Sequence, residues 1–199
     1  MEGMVSVLIS AHNEEKYIGK VLSNLENIKR NEYDKLEVLV GLDGCEDNTE
    51  NIVRRFKWVR AIKGKERLGK HKMLEKLMKE AKGDIIIIHD ADWLLVTNGN
   101  FKKLIDVFRN KQIGGIAHYR APNISSKHSL TDLGNIFASQ FLHEYKMKTL
   151  TQEVNGMRFV KDSSFPFFTD FFRKDVSKGN SVTLADDAER TIQIMKSGY

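Results

Sequence analysis

Four consecutive isoleucines, Ile85 to Ile88, run directly into His89, Asp90, Ala91 and Asp92. β-Branched side chains favour extended backbone, and a run without polar alternation suits a strand covered on both faces, as in a parallel sheet flanked by helices. The chain must therefore supply helices for both faces. It must also have a use for two carboxylates at the tip of a buried strand.

The rest of the amino-terminal half supplies those helices. Val5 to Ser10 is a short apolar run that ends at Ala11, His12, Asn13 and Glu14, after which Ile18, Val21, Leu22, Leu25 and Ile28 recur at helical spacing. Asn13 is placed to cap that helix. Leu36 to Leu42 is the next strand; Asp47 and Glu50 then have capping-box spacing ahead of Ile52, Val53 and Phe56. A strand over Val59 to Lys63, a loop from Gly64 to Gly69 and a helix carrying Met73, Leu74, Leu77, Met78 and Ala81 come next, with Gly83 ending the helix. Strands alternating with helices define a doubly wound α/β sheet, whose ligands sit at the carboxyl ends of the strands.

Beyond Asp92 the pattern loosens. Phe101, Leu104, Ile105 and Phe108 mark a helix, Gly114 to Tyr119 a strand, and Leu130 to Lys148 a longer helical stretch. Val154 to Arg173 is rich in phenylalanine and reads as mixed strands and loops. No repeat or linker divides the 199 residues, which are expected to form one domain.

Lysine and arginine outnumber the acids 32 to 27, a net charge of +5 that favours anionic partners. Nucleic acid is not among those expected, because basic and aromatic residues do not interleave. The single cysteine, Cys45, excludes an internal disulfide and fits a reducing compartment. With no secretory signal and no long apolar segment, the chain is expected in the cytoplasm or at the cytoplasmic face of a membrane. Its helical pattern stops at Tyr199, so a natural continuation is expected to carry any membrane association.

Asp43, Asp90 and Asp92 all follow strands, and a doubly wound sheet gathers them on one edge. A D-x-D pair there can hold a hard divalent cation through oxygen, leaving positions open for phosphate oxygens. On the tripeptide alone, capping of a turn reads equally well. The histidines His12, His71, His89, His118, His128 and His143 show no close ligand spacing. Trp93 and Phe165 to Phe172 are candidates to line a cleft, with core packing as the plainer reading.

The blocks VSVLISAHNEEKYIGKVLSNL, VLVGLDGCEDNT, RLGKHKMLEKLMKEAKGDIIIIHDAD and LADDAERTIQIMKSGY resemble, in order and spacing, the signature blocks of glycosyltransferase family 2 enzymes of GT-A fold. The resemblance spans Val5 to Tyr199. It implies one GT-A-like domain, with a mostly parallel twisted sheet between helices, a nucleotide-binding half over about 1–95 and an acceptor half over about 96–199. It further implies a metal-dependent, inverting transferase that moves sugar from a UDP- or GDP-linked donor to a saccharide, lipid or protein hydroxyl. Ala11, His12 and Glu14 would line the nucleotide pocket and Asp43 would contact the base. Asp90 would lie near the ribose, and Asp92 would ligate Mn²⁺ or Mg²⁺ at the diphosphate. Asp187, in the pair Asp186-Asp187 where the family usually has Glu-Asp, would be the catalytic base. Arg67 and Lys70 are placed to add positive charge near the phosphates or base, or to form a solvated basic loop.

The departures are Leu42 ahead of Asp43, where many relatives have a second acid, and Cys45, where they have serine. Acids at a helix start are also favourable whatever the function, so Asp186, Asp187 and Glu189 read equally as first-turn stabilisers. A dehydrogenase is set aside because no G-x-G-x-x-G follows the first strand. A sugar-nucleotide nucleotidyltransferase would need a glycine-rich basic loop there. A non-catalytic nucleotide-sugar-binding module remains the other alternative.

Overall fold

Strands β1 (Val5–Ala11), β2 (Leu36–Leu42), β3 (Arg60–Lys63) and β4 (Ile85–Ile88) alternate with helices α1 (Ile18–Asn31), α2 (Thr49–Arg55) and α3 (Lys70–Glu80). The computed structural model describes residues 3–64, 66–116, 151–154, 157–160 and 171–177. Beyond β4 these include α4 (Phe101–Asp106), a 3-10 turn (Val107–Arg109), β5 (Gly115–Ile116), β6 (Thr151–Val154), β7 (Met157–Val160) and β8 (Phe171–Arg173). The expected helix over Leu130 to Lys148, and the carboxyl-terminal one carrying Asp187, lie outside the described residues.

The main sheet has the order β3-β2-β1-β4-β8-β5. Its first four strands are parallel, each reached through a helix, and β8 runs antiparallel between β4 and β5. Strands β6 and β7 form a separate antiparallel pair. The fold is α/β with a mostly parallel sheet, as expected.

The isoleucine run explains the layering. Ile85 and Ile87 point into a core with Val5, Val7 and Ile9 of β1, the apolar stripe of α1, and Phe101 and Ile105 of α4. Ile86 and Ile88 point the other way, against Leu8, Leu39 and the Leu74, Leu77 and Met78 stripe of α3. All four isoleucines are buried, each contributing about 1.5–3 kcal/mol of apolar transfer free energy. The five apolar positions that predicted α1 are its buried residues.

A strand apolar on both faces does not choose its own register, because a one-residue slip exchanges one isoleucine for another. Ser6 and Gly83 supply the choice. The Gly83 N–H donates to Ser6 Oγ at 2.7 Å, and Ser6 in turn donates to Glu37. A Cβ on Gly83 would lie 2.6 Å from the Ser6 nitrogen and 2.8 Å from the Met4 carbonyl oxygen. At the other end the His89 N–H donates to the Leu8 carbonyl at 2.9 Å.

Several local expectations are corrected. Helix α1 begins at Ile18, and Asn13 sits five residues earlier in left-handed backbone, φ 56°, so it caps nothing there. Asp47 and Glu50 form no capping box: Asp47 Oδ1 accepts the Thr49 N–H, while Glu50 turns outward to Arg54 and Lys63. Helix α3 stops at Glu80, before Gly83, whose role is the close approach to β1. Phe171 and Phe172, by contrast, are buried on opposite faces of the sheet, in keeping with the plainer reading of core packing.

Gly83→Ala is expected to destabilise the domain by about 1–3 kcal/mol through backbone overpacking. Gly19→Ala, where a new Cβ on α1 meets only Ile52 Cγ2 at 3.4 Å, is expected to stabilise it by about 0.4–1 kcal/mol. Urea unfolding of the two variants checks the opposite signs.

Candidate active site at the carboxyl edge of the sheet

Parallel pairing brings the ends of β1, β2 and β4 to one edge, with Ala11 opposite Leu42 and Leu8 opposite Ile88. His12 and Asp43 therefore leave the sheet side by side, while β4 ends earlier, level with Leu8, and its exit loop starts three residues short of theirs. The first two loops are then laced together. The Ala11 carbonyl accepts the Asp43 N–H at 2.9 Å and the Cys45 thiol at 3.3 Å, and His12 Nδ1 donates to the Asp43 carbonyl at 2.7 Å. Asn13 Oδ1 accepts the Glu46 N–H at 2.8 Å, and the Glu14 N–H donates to Thr49 Oγ1 at 2.7 Å. Glu15 and Asp47 exchange bonds across the same gap: Asp47 Oδ2 accepts from Glu15 N–H and Glu15 Oε2 from Asn48 N–H, both at 3.0 Å.

Asp43 is 2% exposed. Its two carboxylate oxygens accept the N–H groups of Leu68 at 2.6 Å and Gly69 at 2.9 Å, tying the loop before α3 to the end of β2. Gly44 permits that approach. It has φ 64°, and a Cβ there would meet the Cβ of Arg67 at 3.0 Å. Arg67 itself is exposed.

The next residue along the tied loop, Lys70, begins α3 and pairs with Asp90 through Nζ and Oδ1 at 2.6 Å. His89 is buried, with Nε2 donating to the Trp93 carbonyl at 3.0 Å, which turns the chain just past the acids. Asp90 is half-buried, Ala91 buried and Asp92 exposed. Helix α1 steadies the segment between Trp93 and α4: Asn24 Oδ1 accepts the Leu95 N–H, and Glu32 accepts from Thr97 Oγ1 and from the Phe101 N–H at the start of α4.

Glu14 reports the electrostatics of this edge. Its carboxyl is held above the usual carboxylate range by partial burial, then by the charges of Asp92, Asp47 and Asp90, with His12 opposing them. The carboxylates of β1 and β4 thus face one another closely enough to repel. Among the described residues no three acidic, histidine or cysteine side chains converge tightly enough to hold an ion by themselves.

Ala11, His12, Glu14, Asp43, Arg67, Lys70, Asp90 and Asp92 all lie along this edge or in the loops leaving it, whereas Asp187 lies outside the described residues, as do His118 and Tyr119. The residues missed from sequence were the lacing groups, Asn13, Glu15, Asp47 and Thr49. A cleft of about 590 Å³ opens at the opposite end of the strands, by Asp84 and Ile85. Its bases are engaged locally: Arg173 donates to the Phe108 and Ile113 carbonyls, Lys174 to that of Ala81, and Arg109 pairs with Asp106.

The sequence model of glycosyl transferase family 2 matches residues 6–174. The chain belongs to that family. It is 27% identical to the probable glycosyltransferase YdaM of Bacillus subtilis over 207 residues, covering 98% of this chain and 47% of that protein. The chain spans about half the length of the curated relatives it matches. Mannosyltransferase PcManGT from Pyrobaculum calidifontis, solved with GDP-Man and Mn²⁺, shares the fold with TM-score 0.66 at 21% identity, over 100% of this chain and 54% of that one. Residues 1–349 of Staphylococcus aureus TarS, solved with UDP-GlcNAc, share it with TM-score 0.65 at 20% identity, over 97% and 52%. These likenesses establish a GT-A architecture. Among the described residues no helix is long and apolar enough to cross a membrane.

Because the folded state raises the Glu14 pKa, it holds the Glu14 proton more tightly than the unfolded chain does. Stability then falls as pH rises through the window between the unfolded and folded values. Glu14→Gln is expected to raise the thermal midpoint at pH 7, with the gain vanishing below the ordinary glutamate pKa of about 4.3. Thermal unfolding at pH 4 and pH 7 checks this; an equal effect at both would remove the repulsion.

Proposed function

We propose that this family 2 domain transfers a sugar, with inversion, from a UDP- or GDP-linked donor to a hydroxyl of a saccharide, lipid or protein acceptor. The observation that carries the reading is the gathering of Glu14, Asp90 and Asp92 at the carboxyl edge of a parallel sheet, with Lys70 paired to Asp90. Solved neighbours that hold GDP-Man with Mn²⁺ and UDP-GlcNAc support both kinds of donor.

A divalent cation fits the donor set, since the repelling acids offer hard oxygen ligands and Lys70 offsets the charge of Asp90 alone. Asp92, exposed at the tip of the β4 exit, is the residue to hold Mn²⁺ or Mg²⁺. Such an ion supplies charge neutralisation on the departing nucleoside diphosphate. Lys70 and Arg67 add positive charge on the same side. Ala11, His12 and Glu14 line the nucleotide pocket in this reading, and Asp43 contacts the base.

Inversion requires the acceptor oxygen to bond to the anomeric carbon as the bond to the diphosphate oxygen breaks. Asp187 takes the acceptor's hydroxyl proton in that step. A positioned general base of this kind contributes roughly 10²- to 10⁴-fold in rate.

Calorimetric titration with UDP and GDP, with and without Mn²⁺, tests donor binding. Asp92→Ala is expected to weaken metal-dependent binding at least about tenfold, since hydrogen bonds and contacts to charged groups contribute about 1.5–3 kcal/mol. Asp187→Asn is expected to keep that binding and lose transfer by the factor above. Wild-type transfer from Asp187→Asn would displace Asp187 as base, and absence of any nucleotide binding would overturn the reading of the edge.

A further inference from the structure

The charge of this chain is unevenly distributed. Residues 54–82 carry 12 lysines and arginines against 3 acids, whereas the other 170 residues carry 20 against 24. The whole positive excess therefore belongs to one span, which holds the end of α2, β3 and α3. Arg67 and Lys70 of that span belong to the carboxyl edge, and the others lie along the helix and the strand.

Lys72, Lys76 and Lys79 recur at i, i+4 and i+7 on α3, while Met73, Leu74, Leu77 and Met78 make its buried side. Lys76 Nζ donates to the Lys63 carbonyl at 3.0 Å, which sets this stripe beside β3, an edge strand of the sheet. At the start of that strand Arg60 reaches the carbonyl and carboxylate of Glu80 and faces Glu37, which accepts the Lys82 N–H. Arg60, Lys63, Lys72, Lys76, Lys79 and Lys82 thus share one continuous face.

This arrangement works against the helix that carries it. Like charges at i, i+4 and i, i+3 repel, and lysines in a first turn that holds no acid oppose the helix dipole. The nearby acids have other partners: Arg60 holds Glu37 and Glu80, and Glu75 lies 3.3 Å from His71 Nε2. Among the described residues Lys72, Lys76, Lys79 and Lys82 pair with no carboxylate. Charge on an edge strand deters pairing with another chain, which accounts for Arg60 and Lys63 but not for the helix stripe.

We propose that the outer face of α3, with the adjoining β3 edge, docks on an anionic lipid bilayer. A bilayer spreads negative headgroups over a plane and asks for no directional bonding, so each lysine within a Debye length adds to the attraction. The unpaired groups on this face are all lysines, compact charges on flexible stems, and not the forked arginines that suit single phosphates or base edges. Among the described residues no exposed aromatic side chain lies on this face to stack on bases. Helix α3 starts at the carboxyl edge and runs about 16 Å from it, so a bilayer against its outer face lies alongside that edge. Such docking rests on charge and exposure alone and stands whether or not the carboxyl edge transfers sugar.

Co-sedimentation tests this with vesicles of phosphatidylcholine, alone or with about 30% phosphatidylglycerol. Binding to a mixed-sequence duplex DNA is measured beside it. Wild type is expected to sediment with the anionic vesicles at roughly 0.1 M salt, to leave them at about 1 M, and to ignore the neutral ones. Lys72→Gln, Lys79→Gln and Lys82→Gln together are expected to weaken that binding roughly a hundredfold, about fivefold for each charge. Lys20→Gln, Lys103→Gln and Lys111→Gln together remove three exposed lysines on the α1 and α4 side of the sheet and are expected to keep most of it.

The first set also relieves like-charge repulsion, so its thermal midpoint is expected to match or exceed that of wild type, and loss of binding then reports the face and not unfolding. Equal losses from the two sets would assign the effect to net charge and overturn the proposal. Equal binding of wild type to neutral and anionic vesicles, or binding to neither, would overturn it without any variant. Tighter binding to duplex DNA than to anionic vesicles, through the same three lysines, would make this a nucleic-acid surface instead.

Discussion

Parallel pairing of β1 with both β2 and β4 is the constraint on which the site depends. It sends three strand ends toward one edge in a fixed register, with Ala11 opposite Leu42 and Ile88 opposite Leu8. No loop chemistry could gather Glu14, Asp43 and Asp90 from three parts of the chain without that register. Yet the most apolar strand, β4, is the one least able to set it. Ser6, a buried hydroxyl in an otherwise apolar strand, and Gly83, which has no room for a side chain, do so from the far end. A buried polar group with satisfied bonds specifies an arrangement that isoleucines only stabilise.

The edge so formed is electrostatically unfavourable in the protein alone. Partial burial, then the charges of Asp92, Asp47 and Asp90, push the Glu14 carboxyl toward its protonated form against the opposing His12, and Lys70 is paired with Asp90. Perturbed carboxylates clustered at a sheet edge are a common mark of a site that binds something positive. The lacing between the β1 and β2 loops opposes the repulsion: Glu15 with Asp47 and Asn48, Asn13 with Glu46, and Glu14 with Thr49. Each of these bonds uses a backbone N–H on one side. They hold the loops in place without neutralising the carboxylates.

Apolar periodicity made the framework legible in the sequence. The stripes of α1 and α3 and both faces of β4 were readable because each depends on residues within one element. The family blocks made the edge legible as a site. What failed were local capping assignments, and for a common reason. Asp47, Glu50 and Asn13 have the side chains that caps need, but each bonds to a partner more than ten residues away, Glu15, Lys63 and Glu46 respectively. Asp47 and Glu50 also keep local bonds, to the Thr49 N–H and to Arg54, but neither is the reciprocal pair of a capping box. The phenylalanines at 171 and 172 follow the plainer of their two readings, core packing. Their strand inserts antiparallel beside β4 and is buried on both faces, which composition alone does not distinguish from a cleft lining.

Where the charges lie implies a division of labour. Every acid and base described at the carboxyl edge comes from the first 92 residues, between Glu14 and Asp92. Handling a diphosphate needs charge and backbone rigidity, and both are properties of a parallel sheet edge with laced loops. Choosing a sugar or an acceptor needs something else, directional hydrogen bonds to hydroxyl groups that differ between substrates. The chain immediately after Asp92 already changes character: Leu94 and Val96 are 53% and 73% exposed, while Leu95 between them is buried and bonded to Asn24. The chain beyond the β4 exit is thus held to α1 at Leu95, Thr97 and Phe101 while it turns apolar side chains outward beside them.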